Sequence, residues 1–456
     1  MAGWLCPPTS GTVTAVPGMP PPCCGYLSQY TNHHLVAFLL TFFSYVLLHA
    51  SRKTFSNVKV SISAQWTPSI RNDSEAAFSP GEGLYLSGVI GDRVNLRYVL
   101  CFGLCGSAAV EFVFGTLTEW LHIYNIYLYC GLWVLNGLLQ SAVWPCVVSV
   151  MGNWFGKTGR GFVFGLWSAC ASVGNILGAF LASSVLKYGY ESETGLSPVE
   201  TDTDSHRPLM SDEEDELEAE VCGGRHQPAQ QPDEPLGESP QAIGFCQAFC
   251  LPGVLPYSLA YACLKLVNYS FFFWLPFYLS NNYGWKEAEA DRLSVWYDVG
   301  GIIGGTVQGL ISDFMGKRSP VLAFSLAVAM GALVMYSRSP NDQAINAVLL
   351  AVTGFFIGGP SNIISSAISA DLGRQEALRG SREALATVTG IVDGTGSIGA
   401  AGGQYLVSLI ESKLGWTSVF YFFVVMTGGS IVFITPLLIR ELSAMWRDRQ
   451  ALRRQL

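Results

Sequence analysis

The sequence predicts an all-α polytopic membrane protein. Half of its 456 residues are hydrophobic and only 13% are charged, with a mean hydropathy of +0.33, which excludes an ordinary soluble domain. Ten apolar stretches are long enough to cross a bilayer as helices, and a short loop motif occurs twice. Together these observations favour two pseudo-symmetric helical bundles.

The candidate spans divide unequally between the two bundles. Four belong to an N-terminal bundle at 33–190, which is therefore incomplete, and six belong to a C-terminal bundle at 243–440. In chain order they lie near residues 35–57, 97–118, 123–147, 161–187, 253–280, 292–311, 319–336, 344–366, 384–410 and 416–439.

Three polar segments flank the bundles. Residues 1–32 are rich in Pro and Gly and are expected to form a disordered leader. Residues 191–242 contain "SDEEDELEAE" and supply much of the net charge of −8, so an acidic, disordered linker is expected there. Residues 441–456 form a basic tail, which the positive-inside bias places in the cytosol.

A loop motif is repeated at corresponding places of the two halves. "GVIGDRVNLR" (88–97) and "GLISDFMGKR" (309–318) share a Gly, an Asp four residues later, and two following basic residues. Such a duplication is typical of secondary transporters. We expect Asp92 and Asp313 to hold the end of a neighbouring helix and to act in gating or charge balance.

The repeat also indicates that two helices are missing. Two full spans precede the motif in the second half, whereas only 35–57 and a fragment at 84–90 precede it in the first. Seven residues reach only about 10 Å as a helix and cannot cross. A sixth span is likewise absent after 161–187. The chain is therefore predicted to lack helices 2 and 6 of a twelve-helix plan, which would put the loops after the first gap on the wrong side of the membrane.

Three cations lie within predicted spans. Arg52 and Lys53 are on the first span, and Lys265 is near the middle of its repeat mate. An intramembrane cation costs about 2.5–3.5 kcal/mol and normally faces a cavity or a partner. We expect the three to converge on a multiply charged anion, for which phosphate is suited. Two alternatives stay open: Arg52 and Lys53 reach the headgroups, or Lys265 forms a buried ion pair with Asp298 or Asp393.

Two further side chains share the helix face of Arg52. His49 and Tyr45 precede it by three and seven residues, so they are expected to hydrogen-bond the rest of the ligand. The alternatives are plain packing for Tyr45 and a bond to a neighbouring carbonyl for His49. Asp298 and Asp393 are candidate charge-balancing residues.

Other signals are local. Gly301, Gly305 and Gly309 recur at four-residue spacing, which predicts a smooth face for close helix packing. Asn72 begins a glycosylation sequon in a polar loop. No catalytic Ser/His/Asp set and no Gly-rich phosphate loop followed by Lys-Ser/Thr is present, so neither an enzyme nor an ATP-driven pump is expected.

Several longer motifs carry a family resemblance. "HASRKTFSNVKVS", "MGNWFGKTGRG", "WSACASVGNILG", "KLVNYSFFFWLPFYLS" and "WYDVGGIIGG" resemble the sugar phosphate exchangers, solute carrier family 37. That family belongs to the organophosphate:phosphate antiporter branch of the major facilitator superfamily. The resemblance implies that superfamily's fold and exchange of a sugar phosphate for inorganic phosphate. It also implies that Arg52, Lys53 and Lys265 bind the substrate.

One departure bears on the substrate. Ala169, Cys170 and Ala171 stand where relatives often place a histidine, so a different phosphate- or phosphonate-bearing anion is as plausible as glucose-6-phosphate. The family suggests the endoplasmic reticulum membrane, while "DSHRPLM" (204–210) resembles a lysosomal signal.

The expected partners are the anionic solute, inorganic phosphate as counter-substrate and the lipid bilayer. No nucleic acid and no cofactor or metal is expected, and an accessory membrane subunit stays open. The alternative to a transporter is a non-transporting, splice-type isoform that acts only as a membrane interaction partner, which the two missing spans would explain.

Overall fold

The computed structural model describes residues 31–66, 92, 95–121, 123, 125–156, 159–189, 243–375 and 384–455. Every regular element within these ranges is a helix. The predicted acidic linker, nearly all of the predicted leader and the Asn72 sequon lie outside the described residues.

Within the described residues, the N-terminal half contains four long helical rods, three of which are built from consecutive helical elements. The first rod runs without a break through Arg52 and Lys53, as predicted. The second continues through a π-helical turn at Val113–Leu117. The elements are α1 (Asn32–Trp66), α2 (Leu96–Phe112), α3 (Ile126–Ser141), α4 (Val143–Trp154), α5 (Arg160–Trp167) and α6 (Ala169–Gly189).

In the C-terminal half, the described residues form one short helix followed by six rods. The fourth rod extends through a π-helical turn at Ile364–Ile368, and the last continues through the predicted basic tail. The elements are α7 (Phe245–Phe249), α8 (Val254–Tyr283), α9 (Glu287–Met315), α10 (Ser319–Tyr336), α11 (Gln343–Ile363), α12 (Leu385–Leu414) and α13 (Trp416–Gln455). The ten predicted spans thus coincide with ten rods.

Eight of these rods are both long and apolar enough to cross a membrane. The other two are α9 and α12, which have 29 and 30 residues but are rich in Gly and contain Asp. These two helices also join the halves, since α9 packs on α5 and α6 while α12 packs on α4. Their lower hydropathy has a physical reason, because part of their surface meets protein rather than lipid.

Glycines let α9 approach α5 closely. A Cβ atom on Gly309 would lie 2.2 Å from the backbone oxygen of Gly161, and one on Gly165 would lie 2.3 Å from that of Gly305. Gly301 packs less tightly, because the nearest atom to its added Cβ is 3.7 Å away. The predicted glycine face therefore serves mainly the contact between the two halves.

The acids of the repeated motif each cap a helix of the opposite half. Asp92 accepts hydrogen bonds from the backbone N–H groups of residues 386–387 in α12, at 2.9 and 2.7 Å. Asp313 accepts them from residues 161–162 in α5, at 2.9 and 2.8 Å. A carboxylate stabilises a helix N-terminus by meeting its unpaired N–H groups and the positive end of its dipole. The two motifs therefore form a reciprocal pair of contacts between the halves.

Both motifs lie at the end of the bundle where α1 begins. The His34 ring packs on Phe155, with ring centroids 5.6 Å apart, and Gly152 of the same region lies against Leu385 at the start of α12. Asp92 caps this start of α12, although α1 ends at the opposite end of the bundle. The expectation that the missing span reverses the following loops is therefore wrong for the described loops.

Candidate functional site

Each half contributes one cation to a polar layer inside the bundle. His49 of α1 lies within Coulombic reach of both the Arg52 guanidinium and the Lys265 ammonium. Arg52 donates a hydrogen bond from its Nε to the Gln140 side chain of α3, and Lys53 is buried. The alternative in which Arg52 and Lys53 extend to the headgroups is therefore not the arrangement found.

Lys265 forms a buried ion pair. Its Nζ lies 2.8 Å from Asp393 Oδ1 in α12 and 2.9 Å from Ser397 Oγ. The rings of Tyr261 and Tyr269, one turn before and after it, have centroids 5.4 and 5.2 Å from Nζ. This is the ion-pair alternative raised by the sequence. The Lys265 ammonium also acts electrostatically on His49 of the other half.

Lys53 occupies a different niche from Lys265. Its Nζ lies 4.6 Å from the centroid of the Phe272 ring and 3.4 Å from the Phe272 carbonyl oxygen in α8. Asp291 and Asp298 of α9 act on it electrostatically. The Lys53 side chain of the N-terminal half thus contacts the C-terminal half.

An asparagine that the sequence analysis did not single out connects His49 to the other half. His49 Nδ1 donates to Asn175 Oδ1 at 3.0 Å, and Asn175 Nδ2 donates to Asp298 Oδ1 at 3.1 Å. A Cβ on the adjacent Gly174 would lie 2.5 Å from the His49 Cβ, so the glycine permits this approach of α6 to α1. A polar amide within an apolar span was the available signal.

Tyr45 belongs to an aromatic cluster beside the site. Its ring centroid lies 4.8 Å from that of His49 and 4.7 Å from that of Trp144, which stacks on Trp167 at 5.3 Å. Cys170, one of the three residues that stand where relatives were expected to carry a histidine, is buried and acts electrostatically on Tyr45. The departure from the family pattern therefore lies close to the site.

A second polar cluster, also missed from the sequence, surrounds Glu111. Its Oε1 accepts hydrogen bonds from Ser51 at 3.0 Å, Asn136 at 3.2 Å and Gln140 at 3.0 Å. Glu111 is the single acid in the span predicted at 97–118, and such a residue is a functional candidate by default. Gln140 joins this cluster to Arg52.

Charged residues also close the end of the bundle where the motifs lie. Arg160, with a fully buried side chain, pairs with Asp371 at 2.8 Å, and Arg318 pairs with Asp371 at 3.1 Å and with Asp313 at 2.8 Å. Burial alone would lower the pKa of Arg318, but the two adjacent carboxylates outweigh it and raise that pKa. Asp371 thus joins one arginine from each half. Basic residues thus concentrate at this end, as the positive-inside bias expects of a cytosolic face.

Comparisons with known proteins agree with this architecture. The family model described as Major Facilitator Superfamily matches residues 33–193 and 223–381. The crystal structure of the E. coli fucose:proton symporter aligns with a TM-score of 0.59, covering 88% of this chain and 98% of that one. Its 13% sequence identity supports the fold alone.

Two relatives are similar over most of the sequence. A Bos taurus protein named sugar phosphate exchanger 3 is 62% identical over an alignment that covers 93% of this chain and 96% of the relative. An Arabidopsis thaliana protein, provisionally named glycerol-3-phosphate transporter 5, is 36% identical, with coverages of 91% and 93%.

The bovine alignment also bears on the missing helices. It spans 488 positions, whereas 93% of 456 residues is about 424, so about 64 positions lie opposite gaps in this chain. A membrane span takes about 20 to 25 residues, and two spans with their loops account for a gap of this size. The chain belongs to the sugar phosphate exchangers of the major facilitator superfamily, which are membrane transporters and not enzymes.

Proposed function

We propose that this chain exchanges a phosphate- or phosphonate-bearing small organic anion for inorganic phosphate by alternating access. The observation that carries the proposal is that one cation from each half, Arg52 and Lys265, acts electrostatically on the same buried side chain, His49. The names of the bovine and plant relatives support a phosphorylated small molecule as substrate.

The two cations suit the two kinds of contact that a phosphate group accepts. The planar guanidinium of Arg52 can bind two oxygens at once, and the ammonium of Lys265 supplies a point charge. Each contact at about 4 Å contributes roughly 4 kcal/mol before desolvation, at an effective dielectric constant of about 20. The incoming anion competes with Asp393, which balances Lys265 when no substrate is bound.

The contacts between the halves give a reason for exchange in place of one-way transport. Without substrate, the bond from Asn175 to Asp298 and the contact of Lys53 with Phe272 hold the halves together. In the empty protein, no new interaction offsets the free energy lost when these contacts break. A bound dianion offsets that loss by attracting cations of both halves. The carrier therefore changes conformation when it is loaded, and a second anion is needed for its return.

The reciprocal helix caps form the cytosolic gate in this proposal. Asp92 and Asp313 hold α12 and α5, while Asp371 joins Arg160 and Arg318. The two helix caps and the Arg160–Asp371 pair connect opposite halves at one end, so rocking of the bundles must break them together. Their loss opens the site to the cytosol.

Exchange can be measured in vesicles that contain the purified chain and are loaded with inorganic phosphate. We expect uptake of radiolabelled phosphate to depend on the internal load. Arg52→Ala should reduce it at least tenfold, because a loss of 1.4 kcal/mol is already tenfold. Lys413→Ala, which alters an exposed lysine in the last turn of α12, is the matched control. Normal exchange by Arg52→Ala would refute the assignment of the site.

The alternative function is a non-transporting isoform that acts only as a membrane partner. The observation in its favour is the gap of about 64 positions in the alignment of this chain with the bovine protein. Flux through this chain is compared with flux through a variant in which both missing segments are restored. Transport by the longer chain alone would establish the alternative.

We also propose the endoplasmic reticulum membrane as the compartment, on the strength of the family resemblance. If the loop that carries Asn72 is lumenal, its glycan should stay sensitive to endoglycosidase H in that compartment. A resistant glycan, absent in Asn72→Gln, would instead indicate passage to a later compartment such as the lysosome.

A further inference from the structure

Three helices of the N-terminal half place hydrogen-bond donors around one intramembrane carboxylate. Ser51 of α1 and both Asn136 and Gln140 of α3 donate to Glu111 Oε1 of α2, at 3.0, 3.2 and 3.0 Å. The function proposed above uses none of these four side chains. An acid in this position is costly unless it is hydrogen-bonded, and three donors meet that need.

Glu111 determines which end of the Gln140 amide faces Arg52. A carboxylate can only accept, so the amide must turn its Nε2 towards Glu111. Ser107 accepts from the same Nε2 at 2.9 Å and thereby favours the same orientation. The carbonyl oxygen Oε1 then lies on the opposite side, where it accepts from Arg52 Nε.

The bond from Gln140 determines how the guanidinium is presented. Nε is occupied, and within the part of the chain that the structure describes no hydrogen bond involves the two terminal nitrogens of Arg52. Those two nitrogens are the pair that binds two oxygens of a phosphate group at once. The orientation of Arg52 therefore depends on a chain of contacts that begins at a carboxylate on another helix.

We infer that Glu111 is a positioning residue for the anion site and acts on Arg52 only through Gln140. The inference rests on the proposed function in one respect, namely that Arg52 binds the transported anion. Glu111 of α2 thereby becomes a determinant of the specificity of that site. Without it, the misaligned guanidinium of Arg52 would keep its charge but lose the two-point contact with the phosphate. Recognition of a phosphate should then weaken more than the rate of turnover.

A double-mutant cycle in the phosphate exchange assay tests this dependence. We expect Gln140→Ala and Glu111→Ala each to raise the KM for inorganic phosphate about tenfold, with the maximal rate within about twofold of the wild type. The double variant should be no worse than Gln140→Ala alone, because residues that act through one contact are not additive. Glu411→Gln, which removes an acid of α12 distant from this cluster, should change neither value.

Two results of the cycle would overturn the inference. If the double variant showed the product of the two single effects, Glu111 would act independently of Gln140. If Glu111→Ala lowered only the maximal rate, its role would be general support of the bundle and not alignment of Arg52.

A second measurement does not depend on transport. Nitrogen-15 spectra of arginine side chains, recorded on the full chain in lipid nanodiscs, report exchange of each Nε–H proton with water. The Arg52 signal is assigned by its loss in Arg52→Lys, and slow exchange is expected in the wild type. Exchange should accelerate in Glu111→Ala although Gln140 is still present. An unchanged Arg52 signal would refute the inference, whereas an accelerated one in a chain that moves no phosphate would refute the proposed function alone.

Discussion

Removal of Lys265 while Asp393 is retained should destabilise the protein markedly. The two side chains are 4% and 9% exposed, and their charged atoms are 2.8 Å apart. Lys265→Met keeps the apolar stem of the side chain and removes the ammonium. It leaves the Asp393 carboxylate without its counter-charge.

The size of the effect follows from this geometry. At 2.8 Å and an effective dielectric constant of about 20, the attraction amounts to about 6 kcal/mol, most of which offsets the desolvation of the two groups. Loss of one partner leaves a buried charge uncompensated, which typically costs about 3–5 kcal/mol. Loss of both partners removes the attraction and the desolvation cost together. We therefore expect Lys265→Met to cost about 3 kcal/mol and Lys265→Met/Asp393→Asn to cost much less.

Reversible unfolding of the purified chain in mixed micelles measures these free energies. Lys413→Met is the matched control, because that lysine is exposed at the end of α12 and its change should have little effect. The reasoning is refuted if the double variant is as unstable as the sum of the two single variants, since the charges would then not be coupled.

Three further predictions concern the contacts between the halves. Burial raises the pKa of Asp92 above its ordinary value of 3.8, so the folded protein binds a proton more readily than the unfolded chain. The free energy of unfolding should therefore fall as the pH rises just above 3.8. Thermal unfolding of Asp92→Asn should show a flatter dependence on pH in that range. Gly165→Ala should lower the free energy of unfolding, measured by chemical denaturation, by about 1–3 kcal/mol, because its Cβ would lie 2.3 Å from a backbone oxygen of α9. Gly402→Ala is the control, because its Cβ would meet open space and should have no effect. Asp313→Ala should cost about 1 kcal/mol of stability and increase the labelling of cysteines introduced at the cytosolic end, because it removes a helix cap between the halves. Glu441→Ala is the control, because it removes a cap within one half and should lower stability without changing the labelling.

Much of the fold follows from the sequence because its signals are local. A bilayer demands about 20 consecutive apolar residues per helix, so apolar stretches indicated the ten rods, although α9 and α12 are less apolar than the other eight. The duplicated motif identified two related halves, and the acids within it do cap helices. The end of the bundle at which the described loops lie could not be derived in this way, because it depends on contacts between helices that are far apart in the chain.

The site could be predicted only in part. Intramembrane charges such as Arg52 and Lys265 are conspicuous in a sequence, because each is expensive in lipid. Their partners are not, since Asp393 lies 128 positions from Lys265 and Glu111 is joined to Arg52 through a glutamine on a third helix. By itself, the sequence determined where the ten rods of the described residues lie and which residues carry charge into them. Only the tertiary structure decided which of those charges meet, because hydrogen bonds and ion pairs depend on distances of about 3 Å between helices that are far apart in the chain.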